Sequence, residues 1–215
     1  MHRTSILLAV LLVASACSPV KAQTEFFSEG LVYSLSGFSQ RFSIDDEEYR
    51  ALGVEIAGMP VPEFGFSFGF GQTTVSQEFE EDETVTSISL GASFIANQAR
   101  TASPLSAEVG VGLGYGIGNE GRSGATVGLI GVRLSLAMDP EQPILVAPSV
   151  QAAVTFPIGT SSAEQTFSFA PGIGIGLRLA RGFVVYARPN YTFVSGGEEE
   201  SYQAFGVALG ITLLQ

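Results

Sequence analysis

Four phenylalanines stand at alternate positions in Phe64-Gly65-Phe66-Ser67-Phe68-Gly69-Phe70-Gly71, with only glycine or serine between them. Successive side chains of a strand point to opposite faces, so this period of two puts all four rings on one face. On a helix the same spacing would scatter them. The opposite face carries very small side chains rather than charged ones. A strand with large apolar groups on one side and small groups on the other suits hydrocarbon outside and a narrow lumen inside.

The alternation recurs along the chain. Val109, Val111, Leu113 and Tyr115 interleave with Gly110, Gly112, Gly114 and Gly116. Phe167, Phe169, Ile173, Ile175 and Leu177 interleave with Ser168, Ala170, Gly172, Gly174 and Gly176, and Phe205, Val207, Leu209, Ile211 and Leu213 with Ala204, Gly206, Ala208, Gly210 and Thr212. The pattern predicts strands over 29–38, 50–58, 64–75, 84–96, 105–117, 125–137, 144–156, 166–180, 183–194 and 201–214. Most reach the roughly 9–11 residues that a tilted strand needs to cross a bilayer, and no apolar run reaches the length of about 18 that a membrane helix requires. Turn-like connections at 58–62, 97–104, 138–143 and 181–182 alternate with more polar, mostly acidic ones at 45–48, 78–83, Glu120, Glu164 and 198–200. Short turns are therefore expected on one rim and longer polar loops on the other. The fold expected is all-β: a closed antiparallel transmembrane β-barrel of ten strands, with eight strands as the alternative. A secreted sandwich would carry charged residues in mid-strand on its outer faces, and here the few mid-strand charges fall on the small-residue face.

Those charges are Glu55, Glu108, Arg133, Arg178 and Arg188. An arginine turned to mid-bilayer lipid costs roughly 2–4 kcal/mol, so the lumen is their natural place. Strand direction predicts that the five meet in the half of the lumen nearer the short turns, with Gln151 beside them. Arg133 or Arg178 is then expected within ion-pair reach of Glu108 or Glu55. Such a cluster either neutralises itself in a partly dry interior or forms the constriction of a pore. Tyr115, Tyr186, Tyr191, Phe193 and Tyr202 lie near strand ends and are expected in an aromatic girdle.

Residues 1–22 read as a secretory signal: His2 and Arg3 precede an apolar run from Ile6 to Ala14, and Val20-Lys21-Ala22 offers a cleavage site. Ala14-Ser15-Ala16-Cys17 is the alternative, with lipidation at Cys17. The expected organisation is a signal peptide over 1–22 and a barrel over 23–215. Cleavage after Ala22 removes Arg3 and Lys21 and leaves eight arginines against twenty-one acidic residues, moving the net charge from −11 to −13. It also removes His2 and Cys17, the single His and the single Cys. No disulfide or Cys/His metal site is then available, and neither is a Ser-His-Asp or Cys-His catalytic arrangement. The chain is expected not to be an enzyme, and its acidity argues against nucleic acid as a partner. Gly116-Ile117-Gly118-Asn119-Glu120-Gly121 matches a dinucleotide fingerprint, but a strand pattern follows it where a helix is needed, so no cofactor is expected. The loop acids read as a solvated surface, with weak binding of divalent cations as the alternative and no loop of the tight calcium type.

The signal segment, the repeat of two over the rest of the chain and the last strand at 203–214 resemble the small bacterial outer-membrane β-barrel proteins, the OmpA/OmpX-like and "outer membrane protein β-barrel domain" families. The resemblance implies the outer membrane of a Gram-negative bacterium, outer-membrane lipid as the surroundings and a monomer. It also implies a structural or surface role without catalysis, the alternative being a narrow porin-like diffusion channel gated by the Glu/Arg cluster.

Overall fold

The computed structural model describes residues 32–44, 47–61, 63–76, 83–97, 104–118, 125–136, 142–159, 165–180, 182–196 and 201–214. Residues 1–22, expected to be a signal, and most of the acidic connections lie outside these residues. Ten strands follow in chain order: β1 (Val32–Ile44), β2 (Glu47–Val61), β3 (Phe64–Ser76), β4 (Glu83–Asn97), β5 (Leu105–Gly118), β6 (Ala125–Leu136), β7 (Ile144–Ile158), β8 (Thr166–Ala180), β9 (Phe183–Ser195) and β10 (Tyr202–Leu214). Each pairs antiparallel with its neighbour in sequence, and β1 pairs with β10 to close the barrel. Closure leaves no unpaired sheet edge, which is what allows a sheet to stand in hydrocarbon. Val32 lies opposite Leu214, so the first and last strands share one rim, here the near rim. Odd-numbered strands run from it to the far rim.

The glycine–phenylalanine ladder of β3 explains the wall. Phe64, Phe66, Phe68 and Phe70 all face outward, 38–48% exposed, while Gly65, Ser67, Gly69 and Gly71 are buried toward the lumen. Register carries the apolar row around the barrel: Phe68 sits opposite Leu90, and Leu90 opposite Leu113. Val111, 52% exposed, marks the middle of β5 on this face, whereas Leu105 marks its start at the near rim. Val111→Arg is therefore expected to lower the unfolding free energy in phospholipid vesicles by about 2–4 kcal/mol, against about 0–1 kcal/mol for Leu105→Arg. Equal losses in denaturant titrations of the two variants would contradict a lipid-facing belt.

Two features differ from the sequence pattern. The first strand, expected over 29–38, spans Val32–Ile44, and the second, expected over 50–58, spans Glu47–Val61. Polar residues such as Gln40 and Glu47 blur the alternation there because a lumen tolerates them. Pro60 is accommodated by a register shift between Gly58 and Val61. With the strands extended, the far-rim connections are 45–46, 77–82, 119–124, 159–165 and 196–201, and those of the near rim are 62–63, 98–104, 137–143 and 181–182. The rims thus differ in polarity much more than in length.

The β8–β9 ladder is interrupted. Between Phe169↔Phe193 and Ile175↔Ala187 only Gly172↔Asn190 is paired. Pro171 and Pro189 lie in this stretch, and neither has an N–H to give to a ladder.

Candidate functional site: the layered lumen

The lumen is stacked in layers that can be read down each strand. At the far rim, Phe42 and Ile44 at the end of β1, Tyr49 at the start of β2, Val75, Val85, Val127, Val194, Tyr202 and Ala204 form one buried apolar cluster. The Phe42 ring stacks on Tyr49 at 4.7 Å between centroids and on Tyr202 at 5.4 Å. The Tyr49 hydroxyl donates a 2.8 Å hydrogen bond to the Glu47 carboxylate, turning the polar end of the stack toward the rim. Toward the near rim, Val32, Met59 and Ile95 form a second apolar group, and Leu145, Ala147, Val184 and Tyr186 a third. On β2 and β9, large apolar side chains turn inward where the strand begins and ends, and small or polar ones between.

The polar layer lies between these groups. Glu55, Glu108, Arg133 and Arg188 are all buried, as are Gln40, Gln151, Ser36, Ser67 and Ser93. On β2, Glu55 stands between Ala51 and Met59; on β9, Arg188 stands between Tyr186 and Val194. Register sets Glu108 directly opposite Arg133, and Arg133 directly opposite Gln151. The charge of Arg188 acts on both Glu108 and Arg133, and the charge of Glu55 acts on Glu108. The acids stand on β2 and β5 and the arginines on β6 and β9, so the layer has an acidic side and a basic side.

Contact within the layer is uneven. Glu108 is 1% exposed, and neither of its carboxylate oxygens accepts a hydrogen bond among the described residues. Ser93 lies beside it at a geometry short of a hydrogen bond, and its Oγ also has no partner there. The guanidinium of Arg133, although opposite in register, therefore does not donate to Glu108. Arg178 lies on β8. It is half-buried near the end of β8, and its backbone N–H donates to the Pro143 carbonyl at 2.9 Å. That places it toward the near rim, two residues before the end of β8.

The aromatic residues divide. Tyr115, Tyr191 and Phe193 face outward, and Phe193 touches both Phe169 and Tyr191, with ring centroids 6.5 and 5.0 Å apart. The Tyr191 hydroxyl donates to Gln203 on β10. Tyr186 and Tyr202 are buried in the lumen instead and belong to the apolar layers, not to a girdle. Their even-numbered positions share the parity of Arg188 and Ala204, the one sequence signal that separates them from the outward tyrosines. Among the described residues no three His, Cys, Asp or Glu side chains converge to hold a metal ion.

A closed antiparallel barrel with a continuous apolar outer face is an integral membrane β-barrel. The fold is that of the bacterial outer-membrane barrels. It is similar to the beta domain of the Bordetella autotransporter Brka, with a TM-score of 0.56 at 12% identity over 85% of this chain and 99% of that one. Neisserial surface protein A is also similar, with a TM-score of 0.40 at 10% identity over 88% of this chain and 99% of that one. So is the attachment invasion locus protein Ail of Yersinia pestis, with a TM-score of 0.32 at 18% identity over 86% and 98%. No protein-family model matches the chain. No curated protein sequence matches it either.

Proposed function

We propose that this is an outer-membrane barrel with a structural or surface role, no catalysis and a lumen closed to solutes. The observation that supports this reading is the filling of the lumen at both ends, by the Phe42–Tyr49–Tyr202 stack at the far rim and by the Met59 and Tyr186 groups toward the near rim. The near rim then faces the periplasm after removal of residues 1–22. The acidic connections face outward, where divalent cations bind weakly between them and the negative surface of the membrane. Vesicles carrying the refolded protein are expected to swell in sugar solutions no faster than empty ones, and fast swelling would overturn the closed reading.

A gated diffusion channel is the second reading. It is favoured by the middle of the lumen, where Gly110, Gly112 and Gly131 line the wall and Phe38, Ser89 and Asn190 are only half-buried. Phe38 reaches across to Gly53, where a Cβ would meet its ring at 2.5 Å. If this reading holds, swelling appears in the wild type and its rate changes in Glu108→Ala.

A further inference from the structure

Two prolines stand in one stretch of the β8–β9 wall. The Arg178 N–H donates to the Pro143 carbonyl across the β7–β8 ladder, so even-numbered positions of β8 bond to β7 and odd-numbered ones bond to β9. Gly172 lies opposite Asn190, which sets Pro171 against Tyr191 and Ile173 against Pro189. Both are pairs whose hydrogen bonds run across β8–β9, and in each the proline has no N–H to give. Two successive bonding pairs therefore each lose a bond, between the paired Phe169↔Phe193 and Ile175↔Ala187. The junction where the chain closes has no such break: β1 and β10 pair at every position from Val32↔Leu214 to Phe42↔Ala204. The β8–β9 seam is shut in this structure. A Cβ added at Gly172 would meet the Asn190 Cβ and the Pro189 carbonyl at 3.3 Å, so the two strands lie close. Behind them is a cavity of about 20 Å³, bounded in part by Ala170 and Gly172 of β8, Asn190 of β9 and Ser149 of β7.

We propose that β8–β9 is the seam at which the barrel wall opens, sideways into the bilayer. Neighbouring strands of a wall in lipid are held together by their ladder bonds, and local opening starts where those bonds are fewest. The outward parity puts both proline rings on the lipid side, and Gly172 puts no side chain between the seam and the cavity behind it. An opening there joins the lumenal polar layer to the membrane interior rather than to water. It admits a molecule dissolved in the bilayer and leaves both apolar layers in place. The proposal does not depend on whether the lumen conducts solutes along its axis.

Single-cysteine variants provide the test, in the full chain carrying Cys17→Ser, which removes the one native thiol, refolded into phospholipid vesicles. Ser149→Cys places a thiol on β7 opposite Gly172, behind the seam. Ser89→Cys is the matched control: it is also lumenal and half-buried, and it lies between Gly69 and Gly114 where both ladders are continuous. A pyrene maleimide dissolved in the bilayer is expected to label Ser149→Cys about tenfold faster than Ser89→Cys, a factor that two missing bonds of ordinary net strength readily supply. Pro171→Val/Pro189→Val restores both N–H groups and is expected to slow the labelling of Ser149→Cys to the control rate. A membrane-impermeant maleimide is expected to show no difference between the two positions. Equal rates with the pyrene reagent overturn the proposal, and so does an unchanged rate in the double valine variant. The same difference between positions with the impermeant reagent also overturns it, because it signifies entry from a rim.

Discussion

Phe42→Ala is expected to lower the unfolding free energy of the refolded barrel by about 3–5 kcal/mol, the usual cost of truncating a buried phenylalanine. Phe42 is the shared ring of the far-rim stack, in contact with Tyr49 on one neighbouring strand and Tyr202 on the other. Its removal leaves a void that two closed strands on either side cannot collapse to fill. Phe68→Ala is the control: Phe68 faces outward, lipid can occupy the space it vacates, and the loss is expected to be much smaller. Urea titrations in phospholipid vesicles compare the two directly. Equal losses would mean that the far-rim layer is not packed.

Arg188→Met is expected to lower the unfolding free energy by about 1–3 kcal/mol, by a different route. The charge of Arg188 attracts Glu108 and repels Arg133, so its loss withdraws an attraction from the buried acid and a repulsion from the neighbouring guanidinium. Methionine keeps much of the side-chain volume and isolates the electrostatic effect. The double variant Glu108→Met/Arg188→Met removes both charges and is expected to recover most of the loss, since apolar replacement of a buried ion pair is often neutral or stabilising. The interaction energy from this cycle reads the coupling of the layer. Additive losses in the double variant would show that the two groups do not sense each other.

The barrel itself was legible in the sequence because its outer face obeys a simple rule. Hydrocarbon demands an apolar side chain at every outward position, and the glycine and serine rows keep the other parity visible, as in β3 and β5. The strand count and the bounds of β8 followed from this alone. The ends of β1 and β2 did not. Gln40 faces a lumen that accepts polar groups, and Phe42, Ile44 and Tyr49 face inward, against the parity that elsewhere marks lipid. The same inversion hid the far-rim layer, whose large residues on the small-residue parity lie near strand ends, where the pattern is weakest. Parity alone placed the five charges on the lumenal face. It could not give their heights relative to one another, because barrel tilt moves each strand's residues up or down relative to its neighbours. Nor could it show that Arg133 faces Glu108 in register without hydrogen-bonding to it.

The most direct test of a lumen closed at both ends is single-channel recording from the refolded wild-type protein in planar bilayers. The layered packing predicts no conductance steps above those of the lipid alone, in the wild type and in Leu105→Arg alike. Stable, reproducible steps from the wild type would contradict it.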